Sequence, residues 1–318
     1  MVVVLLCVAC ILTACNNDPK EEFISLFHSL HRQEDNRILF EVSVAELDMK
    51  PLTGEEWERS YADSFREFTV HGKELLEAST VEGIYHYDEE KNTSISMEID
   101  AFKEAFPVEV VVKKNKFWYV STSYIEGMLK IRNRFDSPVE INQEKLQPLE
   151  GKFTDLEMHL AYNPREINSF QFDREAPEIS KEEIKQIEKM LNPSQSWKVM
   201  NQLLENANKG SFTKESDQFV YTFKKKDLEK FEWFKLLVLD NIENSQNLSV
   251  KLTLNEQTGE THLIAAFDNP GAYMALTADI KLESKQDTQL VSLPAYQEII
   301  TKDEVDDVMY EILYKKDE

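Results

Sequence analysis

Cysteine is nearly absent and confined to one end of the chain: Cys7, Cys10 and Cys15 are the only three in 318 residues. Beyond position 15 there is no thiol. A disulfide framework, a thiolate metal site and a cysteine nucleophile are thereby excluded from the rest of the protein. Cys7-Val8-Ala9-Cys10 has C-x-x-C spacing, but it lies in an apolar segment without strand–helix–strand context, so no redox role is expected. Glycine is scarce, with 8 residues. That argues against Gly-rich phosphate loops, and hence against nucleotide, and against solute-binding folds built from βαβ units. Positive charge is also short: 36 Lys and Arg face 59 Asp and Glu, a formal net charge of −23. Such a surface repels nucleic acid and anionic headgroups alike. There is no G-x-S-x-G, no H-E-x-x-H and no G-x-x-x-x-G-K-[ST]. The six histidines are scattered, and only His28 and His31, at i and i+3 of an expected helix, stand close enough to share a metal. On an exposed helix face they read as plain surface residues, so no metal, catalytic residue or cofactor is expected. Acidic clusters such as Asp303-Glu304 with Asp306-Asp307 lack the Asp/Asn alternation and Gly of a calcium loop and suit a helix N-terminus.

What is present is apolar, aromatic and strongly patterned. Hydrophobic residues make up 42% of the chain and Phe alone numbers 18, enough for a sizeable core in one large domain or two small ones. Asp18-Pro19-Lys20-Glu21 supplies a cap, a proline at the first helical position and an acidic third residue, and Phe23, Phe27 and Leu30 follow at helical spacing. A strand is expected from Ile38 to Glu46, where Phe40, Val42 and Val44 alternate with Glu41, Ser43 and Ala45. A short helix carrying Trp57, Tyr61 and Phe65 is expected after Thr53. From Val81 the period is two: Val81, Gly83, Tyr85 and Tyr87; then Ile95, Met97 and Ile99; then Val108, Val110 and Val112, with turns at Asp88–Asn92 and Lys114–Lys116. Such alternation, with one polar face, marks an antiparallel sheet covered on one side.

The second half repeats this order. A short helix is expected around Ile125 to Ile131, and a loop or irregular strand at Asn163 to Ala176. Ser180 and Glu183 form a capping box for a helix ended by Asn192-Pro193, and Trp197 to Ala207 makes a second helix ended by Gly210. Phe219, Tyr221 and Phe223 read as a strand. Asp227 opens a helix over Leu228 to Ile242 that is apolar on nearly every side and must be buried or bind something. Strands follow at Leu248–Leu254, His262–Phe267 and Met274–Leu282. A capped helix closes the chain, with a Thr301/Glu304 box and an Ile300/Val305 staple. The halves share no residue-level repeat, so one extended sheet is expected rather than two copies.

The N-terminal stretch addresses the chain. An apolar run from Val2 to Leu12, too short to span a bilayer, meets small residues and then polar Asn16-Asn17-Asp18. The order Leu12-Thr13-Ala14-Cys15 resembles the lipobox of bacterial lipoproteins, although no Lys or Arg precedes the run. That resemblance implies a diacylglyceryl group on Cys15, cleavage before it, and anchoring on the extracytoplasmic face of the cell membrane. Two acyl chains hold a protein stably where one does not. The remaining layout resembles Gram-positive lipoproteins whose fold is similar to the lipoprotein carrier LolA and the LppX-type proteins. It does so through the lipobox, Leu149-Glu150-Gly151-Lys152-Phe153-Thr154-Asp155-Leu156, and the pattern from Asn247 to Phe267. The resemblance implies an α+β fold: a strongly curved antiparallel sheet, a half-barrel, packed on helices around an apolar cavity. The expected organisation is a signal peptide at 1–14, a lipidated tether at 15–20, the half-barrel at 21–296 and an added amphipathic helix at 297–318.

The function these readings favour is non-enzymatic binding of a hydrophobic ligand, a lipid or another lipoprotein's acyl chains, between sheet and helices. Phe40, Val42, Met97, Val110, Trp233, Leu237, Leu252 and Leu276 are the candidate lining. The plain alternative is that these residues fill a closed core, since well-packed interiors leave few voids; a pocket of several hundred cubic ångströms separates the two. Other classes stay open: a cell-envelope protein-interaction lipoprotein without an internal ligand, a cell-wall enzyme needing two facing carboxylates in a cleft, or a released leader ending in Ile11-Leu12-Thr13-Ala14 that acts as a peptide signal, against which Cys7 and Cys10 count.

Overall fold

The computed structural model describes residues 18–49, 73, 76–101, 103–119, 122–135, 141, 143–155, 185, 188–231, 248–269, 274–294 and 298–314. The expected helix after Thr53, the Ser180/Glu183 box, the loop at Asn163 to Ala176, Cys15, and nearly all of the apolar stretch Leu228 to Ile242 lie outside the described residues.

The chain begins with α1 (Pro19–Leu30), whose N-cap Asp18 accepts a hydrogen bond from the Lys20 amide, with proline in the first turn as expected. The strands are β1 (Arg37–Met49), β2 (Thr80–Tyr87), β3 (Thr93–Ala101), β4 (Glu104–Lys113), β5 (Phe117–Tyr119) and β6 (Lys152–Asp155), then β7 (Phe212–Glu215), β8 (Gln218–Thr222), β9 (Ser249–Asn255), β10 (Thr261–Asn269), β11 (Met274–Lys285) and β12 (Glu298–Ile299). Between them stand α2 (Thr122–Phe135), α3 (Gln143–Leu146), α4 (Pro193–Asn206) and α5 (Lys225–Leu228), and α6 (Lys302–Tyr314) follows β12.

The twelve described strands join one open sheet in the order β12-β6-β5-β4-β3-β2-β1-β11-β10-β9-β8-β7. Each pairing is antiparallel except β12 with β6. The fold is mixed α+β, built of two meanders: β1 runs outward to β6, and β7 runs inward to β11. They are joined where β1 lies along β11, from Arg37 opposite Lys285 to Met49 opposite Met274, with a bulge between Val44 and Glu46. This is a single extended sheet, as the absence of a residue-level repeat had implied. Tight turns make the meander possible. In the three-residue loop between β4 and β5, Lys114 and Asn115, both at φ 54, are the central residues of a turn closed by the Lys116 amide on the Lys113 carbonyl, the positive φ at both matching strand twist. Gly259, at φ +69, takes the left-handed position between β9 and β10.

Cross-strand neighbours share a face, so the register sorts the whole sheet. One row runs Phe106–Ile99–Val81–Val42–Ile280–Leu263–Leu252–Tyr221–Phe212 across nine strands, apolar throughout. The adjacent row, one residue along each strand, runs Pro107–Glu98–Glu82–Glu41–Lys281–His262–Thr253–Val220–Thr213. Its carboxylates face water, with Glu82 and Glu98 exposed and Glu41 paired to Lys281 at 3.0 Å. A one-residue slip would exchange these two rows, and that fixes the register.

The helices cover the apolar face. Phe23 and Phe27 of α1 and Trp197, Leu203 and Leu204 of α4 pack with Phe212, Phe219, Tyr221, Leu252 and Leu254 into the main core. Lys20 of α1 reaches the end of α4, donating to the carbonyls of Glu205 at 2.7 Å and Ala207 at 2.8 Å. That side chain satisfies carbonyls a helix end leaves open, so α4 stops at Asn206, before the expected Gly210. Asn192 is the N-cap of α4, with Pro193 in its first turn, rather than only the stop of the preceding segment. Over β4, Gly127 of α2 sits directly on the ring of Phe106. The last helix, α6, carries the expected Thr301/Glu304 box, and Ile300 and Val305 are buried against Leu149. Ile312 joins Leu129 and Leu146, so α6 is packed onto α2 and α3. Asp227 stands third in the short α5 rather than opening it.

Candidate functional site

The six described candidate residues, Phe40, Val42, Met97, Val110, Leu252 and Leu276, all project from the apolar face. Their register partners prove it: Phe40 stands opposite Leu282, Met97 opposite Gly83, Val110 opposite Ile95, and Leu276 opposite Phe267. Trp233, Leu237 and Cys15 lie outside the described residues.

Between this face and α4 lies a pocket of about 260 Å³. Its floor is Ile38 of β1, Tyr85 of β2, Leu252 of β9, Thr261 and Leu263 of β10 and Leu282 of β11. Phe27, Trp197, Met200, Pro193 and Phe231 form its walls. Of the six described candidates, Leu252 lines this pocket. Phe40 also borders a wider trough of about 800 Å³, but most of that lining, including Leu39, Glu41, Glu82, Ile84 and Lys281, belongs to the opposite, water-facing rows of the sheet. Val42, Met97, Val110 and Leu276 share the face but stand away from the pocket's described lining.

A polar cluster underlies the pocket, and no sequence signal pointed to it. His31 was expected on an exposed helix face; it is only 2% exposed. It terminates α1, and the chain turns there to deliver the ring beneath α4. Its Nδ1 lies 2.7 Å from the Ser284 hydroxyl and its Nε2 lies 2.7 Å from the Thr261 hydroxyl. Ser284 donates to Asp35 at 2.6 Å, and the Arg32 amide donates to the same carboxylate oxygen at 2.8 Å. The Trp197 indole donates to the Asp35 carbonyl at 3.1 Å and stacks on the imidazole. Since the Ser284 proton goes to Asp35, Ser284 accepts from His31 Nδ1–H, and Thr261 donates to Nε2. The imidazole is neutral in this arrangement. Burial holds its pKa down at about 4 from 6.5, against a smaller upward pull from Asp35.

Aspartate, serine and histidine are thus in contact, but in the wrong order for nucleophilic catalysis. In a triad the histidine stands between serine and carboxylate and takes the serine proton. Here the serine stands in the middle and its proton is bound to Asp35. With both ring nitrogens engaged, His31 is also not free to pair with the exposed His28 around a metal. Among the described residues no group of three or more His, Cys, Asp or Glu could hold a metal ion. None of the described helices is long and apolar enough to cross a membrane.

A second buried carboxylate is structural. Asp88, 2% exposed, accepts from the Asn92 amide at 2.8 Å, the Asn92 side chain at 3.0 Å and the Val291 amide at 2.9 Å. It ties the β2–β3 turn to the segment leading away from β11. Asn36 does likewise, exchanging hydrogen bonds with the backbone of Asp287 while also donating to the Tyr87 carbonyl.

No protein-family model matches the chain, and no curated protein matches it significantly.

Proposed function

We propose that this protein is a lipoprotein anchored through Cys15 on the extracytoplasmic face of a bacterial membrane, and that it holds an apolar ligand between its sheet and α4 without acting on it chemically. The single observation carrying the ligand reading is the pocket of about 260 Å³ whose described lining is almost wholly apolar. An open sheet of this length accumulates twist from strand to strand. That supports a curved, half-barrel-like body of the LolA and LppX kind, with the ligand on its covered face.

The anchor reading rests on Leu12-Thr13-Ala14-Cys15. Helix α1 starts at Pro19 and is sewn to the sheet, so a lipid on Cys15 holds the folded body close to the bilayer surface. Metabolic labelling with an alkyne-tagged fatty acid tests it: wild type should incorporate label and Cys15→Ala should not. For the ligand, native mass spectrometry of the protein with extraction and identification of bound lipid is decisive. A reproducible co-purifying apolar molecule supports the reading, and a clean apo mass across preparations and hosts argues for a closed core.

A further inference from the structure

We infer that the pocket takes the uncharged terminus of one hydrocarbon chain, on the order of ten carbons, and rejects an ionised headgroup. This rests on the apolar-ligand reading above and specifies what that site accepts.

Size comes first. An apolar cavity of ~150 Å³ accommodates a six-carbon ring such as benzene. A pocket of about 260 Å³ therefore holds roughly ten carbons. Two chains side by side exceed it. Leu252, Leu263 and Leu282, on three neighbouring strands, give a smooth aliphatic floor. Met200 supplies an adaptable wall.

Charge decides the class. None of the pocket's described lining residues is Asp, Glu, Lys, Arg or His. The polar groups that reach it are largely engaged elsewhere. The Tyr85 hydroxyl donates to the Leu191 carbonyl, the Trp197 indole to the Asp35 carbonyl, and the Thr261 hydroxyl to His31. Ser196 adds only a neutral hydroxyl. A carboxylate or phosphate brought here loses its hydration and meets no cation among the described lining residues in exchange. The chain's net charge of −23 adds repulsion. A ligand with an ionised head must leave that head at the mouth and enter tail first, and a chain short enough to be swallowed whole must be neutral.

The test compares 1-decanol with decanoate at pH 7.5 on the full chain by isothermal titration, with intrinsic tryptophan fluorescence as a second readout. Saturable one-to-one binding of decanol, with decanoate at least tenfold weaker, is the expected result. Met200→Lys places an ammonium in the wall and should reverse the preference. Comparable or tighter binding of decanoate to the wild type overturns the charge selection while leaving the apolar pocket in place. An unchanged preference in a folded Met200→Lys protein overturns the assignment to this pocket. Absence of any saturable decanol binding overturns this inference together with the ligand reading beneath it.

Discussion

The imidazole of His31 lies flat on the indole of Trp197, ring centroids 5.0 Å apart and planes within 14°. One ring closes α1 and the other belongs to α4, so the stack joins the two helices that roof the main core. Beneath it, Thr261 and Ser284 fasten the same imidazole to β10 and β11. The pocket's integrity hence depends on a neutral histidine.

Acidification should weaken the protein through this residue. The folded-state pKa of about 4 lies below the ordinary 6.5, so between these values the unfolded chain binds a proton that the folded chain does not. Stability is complete above pH 6.5 and falls as pH drops towards 4, by about 3 kcal/mol from this group alone. Urea denaturation at pH 7 and pH 4.5 should show a larger loss for wild type than for His31→Gln. Equal losses would remove His31 from the account.

Ser284→Ala deletes the link between His31 and Asp35. It leaves the buried Nδ1–H of His31 without a partner and the Asp35 carboxylate with one donor fewer, keeping only the Arg32 amide on that oxygen, and should cost about 1–3 kcal/mol. Chemical denaturation measures it. A parallel Ser292→Ala control, at a position exposed to solvent, should stay near wild type.

Gly127→Ala should separate α2 from the sheet. A Cβ there meets the Phe106 ring, and overpacking of this kind costs about 1–3 kcal/mol. Phe106→Leu, mildly destabilising by itself, should recover part of the loss when combined with it. Thermal melts of the single and double variants would show that coupling.

Asp88→Ala removes one carboxylate that accepts three hydrogen bonds from two separate segments. The orphaned donors include the buried Asn92 amide, and the expected cost is about 2–4 kcal/mol. Hydrogen exchange should speed up at the amides of both Asn92 and Val291; acceleration at only one would break the proposed tie.

Alternation alone determined which side of each strand is apolar, because side chains on a strand repeat every two residues. Phe40, Val42, Met97, Val110, Leu252 and Leu276 fall on one face for that reason. The capping boxes and prolines likewise marked α1 and α6 from local chemistry. Strand order was beyond local pattern: nothing in Arg37–Met49 says that its second partner is Met274–Lys285 rather than a nearer strand. His31 shows the limit most clearly. As one polar residue on a short helix it looked like surface, yet its hydrogen-bond partners lie 230 and 253 positions away. Only closure of β1 against β11 brings Thr261 and Ser284 under it. Tertiary structure also decided which apolar residues line a space and which fill one, since that depends on where the roofing helices end and not on any residue's own character.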